Sequence, residues 1–279
     1  MFSQTQVLER MSDLDELPAI PIIDTPIDAA GYGATPIRLD DPRNVEPLRS
    51  LSEAGIAGAS YYHRSDGSNP PYGRAIEGSL ADLWLRAGAV PRLRHANELL
   101  APFGCELFVW DAYRSIETQR GLWRFHAARI ARSDPSLSAK EVARRTVRYV
   151  SDPREFRRDD PSTWPIHCTG GAVDLTLRGL ADGRLLDMGA RFDQMDATGH
   201  SDHLERLDRS GGCENRAALL HRRLLHWAMA EAGFLNYPME FWHFDWGDQM
   251  YAYRSGLLSP AADGFAWYGY IDPPEARRG

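Results

Sequence analysis

Two short segments of the chain hold residue types that could bind a metal ion and activate water. The first runs from His167 across two glycines to Asp174, and the second joins Glu240 to His243. Histidine nitrogens and carboxylate oxygens are common zinc ligands, and a catalytic zinc site uses three protein ligands and leaves a fourth position for water. Two histidines and one carboxylate would supply that set, and a further carboxylate could accept the proton of the water as a general base.

Each segment also has a purely structural interpretation. Glu240 and His243 lie in the aromatic run MEFWHFDW, where an acidic residue and a hydrogen-bonded histidine could serve packing alone. Asp174 lies in the otherwise apolar run GAVDLTL, where an ionised carboxylate is costly to bury without a cation or another partner. The glycines after His167 would let the chain bend so that both side chains of the first segment face one point.

Other metal sites remain open at this stage. Two histidines and a carboxylate also bind non-haem iron in oxygenases, usually with a closer spacing than the seven-residue step from His167 to Asp174. Cys168 is a further candidate ligand, although adjacent residues in an extended chain point apart. His200 and His203 could bind a second metal, but their surroundings, GHSDH, are typical of a solvated loop.

The hydrophobic pattern predicts the elements that would position these residues. Strands are predicted over three stretches: 106–110, 171–177 and 239–246. Helices are predicted over four stretches: 91–100, 115–132 with Ser115 as the cap, 138–150 with Ser138 as the cap, and 215–232. Since strands and helices do not alternate as βαβ units, we expect an α+β fold with a small, mainly antiparallel sheet flanked by helices. Side chains alternate faces along a strand, so Glu240 and His243 can meet one site only if the last strand ends, twists or bulges between them.

Length and composition indicate one enzyme-sized unit. The chain of 279 residues suggests a single domain over 1–279. An irregular leader is expected over 1–60, with a short strand at 20–23, and an inserted loop over 195–215. The net charge of −7 and the absence of a long Lys/Arg stripe argue against nucleic acid or anionic membranes as partners.

The sequence also carries expectations about the compartment. No apolar run approaches the roughly 20 residues that a membrane span needs. The stretch 1–17 lacks a basic region followed by an apolar one, so no signal peptide is predicted. The three cysteines are widely spaced and odd in number, which suits a reducing compartment rather than a disulfide framework. We therefore expect a cytoplasmic protein.

Taken together, the motifs resemble the VanX-like D-alanyl-D-alanine dipeptidase family of zinc metallopeptidases. That family carries a His-x-x-Gly-x-Ala-x-Asp segment, matched at 167–174, and a later Glu-x-x-His segment, matched at 240–243. Its Asp-x-Tyr-Arg motif matches 111–114. The run MGARFD at 188–193 falls just after the metal strand, as it does in the family, and the pair at 72–73 matches a weaker N-terminal signature. The matches are individually weak and jointly specific.

The resemblance implies a metal site and a general base. One zinc ion per chain would be bound by His167, Asp174 and His243. Glu240 would act as the general base and then as the general acid. The resemblance also implies the D-Ala-D-Ala peptidase fold, which is hedgehog-like, and a small peptide as the substrate.

The resemblance assigns two further charged residues. Arg114 would stabilise the oxyanion that forms when water attacks the peptide carbonyl, and a fixed guanidinium suits that task because it keeps its charge. Asp193 would pair with the free ammonium of the substrate. The structural alternatives are a salt bridge for Arg114 at a strand end and a loop or helix-cap role for Asp193.

The sequence departs from the family pattern beside the first histidine. Serines are usual at the two positions that Pro165 and Ile166 occupy here, so hydroxyls that could hold the terminal carboxylate of the substrate are missing. Ser115 stands where a proline is common. These departures leave the metal ligands intact and concern the substrate.

We therefore expect hydrolysis of a small dipeptide, D-Ala-D-Ala or a related D-amino-acid dipeptide. A carboxypeptidase or amidase that acts on peptidoglycan fragments is the alternative among hydrolases. A zinc-binding module without catalysis is the alternative of another class. The presence of both Glu240 and Arg114 argues against that module, because a structural zinc site needs neither.

Overall fold

A four-stranded antiparallel sheet forms the centre of the computed structural model, which describes residues 13–24, 31–259 and 261–274. The strands lie in the order β3 (Cys105–Asp111), β4 (Ala172–Gly179), β6 (His243–Asp245) and β5 (Leu235–Asn236). All neighbouring strands in this sheet are antiparallel. A separate ribbon pairs β1 (Leu48–Ser50) with β2 (Trp84–Arg86), also antiparallel.

Helices flank the sheet. In the described ranges they are α1 (Val90–Leu100), α2 (Ile116–Ser133), α3 (Ala139–Thr146), α4 (His203–Arg209), α5 (Arg216–Glu231) and α6 (Gln249–Leu258). Two of the helix caps agree with the sequence pattern. Ser115 accepts a hydrogen bond from the amide of Thr118, and Ser138 accepts one from the amide of Glu141. None of the helices in the described ranges is long and apolar enough to cross a membrane.

The register of the sheet brings three functional side chains into one row. Asp174 of β4 lies opposite Asp111 of β3 on one side and opposite His243 of β6 on the other. Residues that face each other across antiparallel strands project from the same face of the sheet. The neighbouring row of β4 is apolar, and Val173 and Leu175 are fully buried in the main core. That core fixes the register, because a slip by one residue would turn Asp174 into it.

The predicted α+β class is confirmed, with a small antiparallel sheet and flanking helices. One predicted strand is wrong, and another is longer in the prediction than in the structure. The described stretch 20–23 forms no strand, and in the predicted strand 239–246 only 243–245 is extended. Residues 238–242 form turns, in which Tyr237 accepts a hydrogen bond from the amide of Glu240.

Two irregular regions also differ from expectation. The predicted loop over 195–215 contains α4, which packs Leu204 and Glu205 into the interior. The predicted leader over 1–60 includes β1, while 1–12 and 25–30 lie outside the described residues. Helix α6 was not predicted from the sequence.

The close approach of β4 and β6 beside Gly171 gives a test of the fold. A Cβ at Gly171 would lie 2.5 Å from the carbonyl oxygen of Trp246, so Gly171→Ala must push the two strands apart. We expect a loss of about 1–3 kcal/mol in the free energy of unfolding, measured by urea denaturation.

Gly256→Ala is the matched control. Gly256 lies within α6, and a Cβ there has open space around it. Alanine favours helices, so this variant should be neutral or more stable by up to about 1 kcal/mol. Equal stability of both variants would contradict the strand contact.

Candidate functional site

Three side chains from separate parts of the chain converge as a candidate metal site. His167, Asp174 and His243 each offer a ligand atom, and these atoms lie within 4.8 Å of one another. His167 Nε2 is 3.6 Å from Asp174 Oδ2, and His243 Nδ1 is 2.9 Å from Asp174 Oδ1. All three side chains are buried. Elsewhere in the described ranges, no comparable group of three such side chains is found.

Local backbone geometry explains why the first two residues meet. His167 lies in a 3₁₀ turn (Ile166–Thr169) that ends at Gly170, whose φ of 72° is left-handed. That conformation favours glycine, and a Cβ at this position would also meet Leu48 at 2.6 Å. The chain therefore reverses before β4 begins, and His167 is carried back over Asp174.

In each imidazole, the nitrogen that points away from Asp174 donates a hydrogen bond, so that nitrogen carries a proton. His167 Nδ1 donates to the carbonyl of Ala112 at 2.7 Å, and His243 Nε2 donates to Asp245 Oδ1 at 2.8 Å. His167 Nε2 is thus left with its lone pair on the side of Asp174. His243 Nδ1 donates to Asp174 Oδ1 at 2.9 Å, and it would give up that proton to bind a metal ion. Imidazole ligands of metal ions are usually oriented in this way by an acceptor behind the ring.

The charges around the site favour a bound cation. Burial, together with the charge of Arg114, lowers the pKa of His167 to about 3, so this ring is neutral and able to bind a metal. Burial also disfavours the charged form of His243, yet its two carboxylate neighbours, Asp245 and Asp174, raise its pKa well above the ordinary value. Because two carboxylates contact the imidazole of His243, this part of the site favours a positive charge, either a second proton on the ring or a metal ion. Two nitrogens and one carboxylate oxygen fit zinc, which takes such donors in catalytic sites.

Glu240 lies beside these residues and not among them. Its Oε2 is 4.0 Å from His243 Nδ1, and its side chain is 22 % exposed. Burial raises the pKa of Glu240 to about 7, although the nearby His243 opposes the shift. A carboxyl group with a pKa near neutrality can both accept and return a proton at physiological pH. The turn before β6 lets Glu240 and His243 share one site, as the sequence pattern requires.

Arg114 is held over the candidate metal site by a buried carboxylate and an amide. Its guanidinium contacts Asp111 Oδ2 through Nε at 2.9 Å and Nη2 at 2.7 Å. Its Nη1 donates to Gln119 Oε1 at 3.1 Å, and Nη2 lies 3.6 Å from Asp174 Oδ2. Burial raises the pKa of Asp111 to about 7, against the opposing charge of Arg114. The salt bridge that the sequence leaves open for Arg114 is present, and it aims the guanidinium at the cluster.

Asp193 closes another side of the same cleft. It has a left-handed φ of 63°, which is uncommon for a residue other than glycine and occurs often at functional sites. The hydroxyl of Tyr72 donates to Asp193 Oδ2 at 2.5 Å, and that of Tyr62 donates to Oδ1 at 3.4 Å. Burial raises the pKa of Asp193 to about 7, while the bond from Tyr72 lowers it.

The cleft that joins these groups is small, and both polar and apolar side chains line it. Its volume is about 170 Å³, below the roughly 300–1,000 Å³ of pockets for drug-sized ligands. Pro165 and Ile166 line it, so the absence of hydroxyls at these positions leaves an apolar wall. Cys168 lies elsewhere: its thiol donates to the carbonyl of Pro165 at 2.8 Å and packs in a separate cluster with Trp164.

Four residues around the site were not identified from the sequence. Asp245 could have been predicted to lie near the site, because it follows His243 by two residues and residues two apart on a strand share a face. Tyr62 and His126 could not be identified, since their partners Asp193 and Tyr72 lie far away in the chain. Gln119 lies only five residues after its partner Arg114, but no sequence pattern links the two side chains.

Comparisons with known proteins agree with the motifs. The profile of a peptidase family, described as D-ala-D-ala dipeptidase, matches residues 83–256. A D-alanyl-D-alanine dipeptidase of Synechocystis is 29 % identical over 266 residues, which cover 92 % of this chain and 99 % of that protein. The D-alanyl-D-alanine dipeptidase of Enterococcus faecium is 31 % identical over 159 residues, which cover 57 % of this chain and 71 % of that protein.

A solved structure was also compared. A mutant of the vancomycin resistance D,D-pentapeptidase VanY, in complex with Zn(II), aligns over 67 % of this chain and 85 % of that chain. The sequence identity is 14 % and the TM-score is 0.35, which is too low to compare the two sites.

The acceptor behind His243 gives a test of the candidate metal site. Asp245→Asn keeps the shape of the side chain but removes the negative charge that makes the imidazole a stronger ligand. We expect zinc affinity, measured by competition with a chromophoric chelator, to fall by about 10–100-fold. Asp182→Asn, at an exposed position, is the control and should leave zinc affinity unchanged. Equal affinities of the two variants would show that Asp245 does not support the ligand.

Proposed function

We propose that this chain, which belongs to the D-Ala-D-Ala dipeptidase family of metallopeptidases, is a zinc-dependent dipeptidase that cleaves D-Ala-D-Ala or a closely related D-amino-acid dipeptide. The family assignment confirms the resemblance seen in the motifs. One observation carries the rest of the proposal. A single small cleft contains the candidate metal cluster, a carboxyl group with a raised pKa, a fixed guanidinium and a second buried carboxyl group.

His167, Asp174 and His243 would hold the zinc ion. When bound, zinc acts as a Lewis acid and lowers the pKa of a water molecule from its bulk value to about 7. The three side chains suit this ion because His167 presents a lone pair, His243 would exchange its Nδ1 proton for the metal, and the carboxylate lies between the two rings. Three protein ligands are the number found in catalytic rather than structural zinc sites.

Glu240 is the proposed general base and acid. Its carboxylate would take a proton from the attacking water and deliver it to the nitrogen of the leaving amine. The raised pKa of about 7 suits both transfers, since the group is readily protonated and deprotonated at working pH. Its position beside His243, outside the ligand cluster, leaves the carboxylate free for this work.

Arg114 would stabilise the negative charge on the carbonyl oxygen of the substrate as the tetrahedral intermediate forms. Asp111 and Gln119 fix the guanidinium before the substrate arrives, so little reorganisation is needed during the reaction. Asp193 would bind the free ammonium of the substrate. An ammonium site close to the reacting groups limits the substrate to one residue before the scissile bond, which favours a dipeptidase over an endopeptidase.

The apolar wall at Pro165 and Ile166 supports a second candidate within the same chemistry. A carboxypeptidase or amidase on peptidoglycan fragments, or on another small D-amino-acid compound, would also use this machinery. An inactive zinc-binding module is disfavoured, because it has no use for Glu240 and Arg114 in the same cleft.

The function is tested with zinc-loaded protein and a set of dipeptides. Release of free alanine from D-Ala-D-Ala and L-Ala-L-Ala is measured with and without a chelator. Chelator-sensitive cleavage of the D,D-dipeptide is the expected result. Cleavage of neither dipeptide, together with cleavage of a peptidoglycan stem peptide, would favour the carboxypeptidase. No activity on any of them would support the inactive module.

Glu240→Gln separates catalysis from metal binding. The amide cannot accept the proton of the water, so we expect kcat to fall by about 10²–10⁴-fold while zinc content stays at the wild-type level. Glu117→Gln, at an exposed position of α2, serves as the control and should be fully active. A Glu240→Gln enzyme with near-normal kcat would exclude Glu240 as the base.

Arg114→Lys tests the fixed guanidinium. Lysine keeps the charge but cannot reproduce the fork that spans Asp111 and Gln119. We expect a loss of about 10²–10³-fold in kcat with a smaller change in KM, because the interaction forms mainly in the transition state. Arg184→Lys on the surface is the control. A change in KM alone would instead assign Arg114 to ground-state binding.

A further inference from the structure

A buried histidine stands behind the proposed ammonium site. His126 of α2 is 4 % exposed and lines the same cleft as Asp193. Its Nε2 lies 3.1 Å from the hydroxyl of Tyr72, and that hydroxyl donates to Asp193 Oδ2 at 2.5 Å. A continuous chain of hydrogen bonds therefore runs from His126 through Tyr72 to Asp193.

The direction of this chain follows from the number of protons. A phenol has one proton, and Tyr72 gives it to Asp193 whenever that carboxyl group is ionised. The oxygen of Tyr72 can then only accept, so His126 must carry its proton on Nε2. Burial, with the nearby charges of Arg129 and Arg114, lowers the pKa of His126 to about 4, and the ring is a neutral donor near pH 7.

The ring of His126 is also held in place from behind. It stacks on Tyr149 with 4.9 Å between ring centroids and an angle of 10° between the planes. It meets the rings of Phe125 and Tyr72 edge to face. The donor therefore has a fixed position, and the position of the Tyr72 hydroxyl is determined by a donor on one side and an acceptor on the other.

We propose that His126, acting through Tyr72, is a positioning residue for Asp193 and sets how tightly the cleft binds the free ammonium of its substrate. This inference rests on the proposed function, which assigns the ammonium to Asp193. Asp193 has an uncommon left-handed backbone, a conformation that persists only when surrounding contacts hold it. A donor chain that ends on its carboxylate also stabilises the ionised form, which is the form that pairs with an ammonium.

Two substitutions separate the hydrogen bond from the packing of the ring. His126→Phe keeps an aromatic ring to stack on Tyr149 and removes the donor to Tyr72. His126→Gln removes the ring and places an amide N–H near the former Nε2. Thermal unfolding of both variants shows whether they remain folded before any kinetic comparison.

The readout is a comparison of two ligands that differ in the ammonium. D-Ala-D-Ala is the proposed substrate. Propionyl-D-alanine has hydrogen in place of the ammonium, and its inhibition constant is measured from its effect on the hydrolysis of D-Ala-D-Ala. In His126→Phe we expect KM for the dipeptide to rise about tenfold, with kcat within about twofold of wild type, because the hydrogen bond that orients Tyr72 toward Asp193 is lost. The inhibition constant of propionyl-D-alanine should not change, and His126→Gln should restore most of the dipeptide affinity.

Other outcomes distinguish the possible failures. If His126→Phe weakens both ligands equally, His126 has a structural role only and the inference is wrong. If it changes neither ligand, the hydrogen-bond chain has no effect on recognition and the inference is again wrong. If the wild-type enzyme binds the two ligands equally well, Asp193 does not bind an ammonium, and that part of the proposed function fails first.

Discussion

The burial of negative charge in one row of the sheet is the constraint on which the site depends. Asp111, Asp174 and His243 face one another across β3, β4 and β6, and Asp245 lies behind His243. Buried carboxylates are costly unless cations or hydrogen-bond donors meet them. Arg114 pairs with Asp111 and lies 3.6 Å from Asp174 Oδ2, and His243 lies between the carboxylates of Asp174 and Asp245. A divalent cation between His167, Asp174 and His243 would complete this balance.

The rest of the cleft is arranged around that row. Helix α2 begins just after Arg114 and carries Gln119 and His126 on its buried face. Gln119 orients Arg114 directly, while its own amide donates to the carbonyl of Ser151 in the segment after α3. His126 stacks on Tyr149 of the same segment. Helix α2 thus supports Arg114 on one side of the cleft and, through Tyr72, Asp193 on the other. It also contacts the segment after α3, so changes in that segment should affect substrate recognition more than metal binding.

The convergence of His167, Asp174 and His243 could be predicted from the sequence, because the motifs that contain them depend on residue types at short spacings. The turn before β6 could not, since its aromatic residues favour a strand. It forms because Asn236 donates to the carbonyls of both Glu240 and His243, a contact made within the folded sheet. The loop predicted over 195–215 differs from the structure for a related reason. Its glycines and aspartates suggest a loop, yet a buried ion pair of Glu205 with Arg223 of α5 fixes a helix there.

The central claim is that His167, Asp174 and His243 hold one zinc ion, and X-ray absorption at the zinc edge tests it most directly. The protein loaded with one equivalent of zinc should show a shell of nitrogen and oxygen atoms at about 2.0–2.1 Å, with the outer-shell scattering of two imidazoles. The Asp174→Asn variant should lose this signal or show it weakened. A sulfur shell near 2.3 Å, or no imidazole scattering, would contradict the account and place the metal elsewhere.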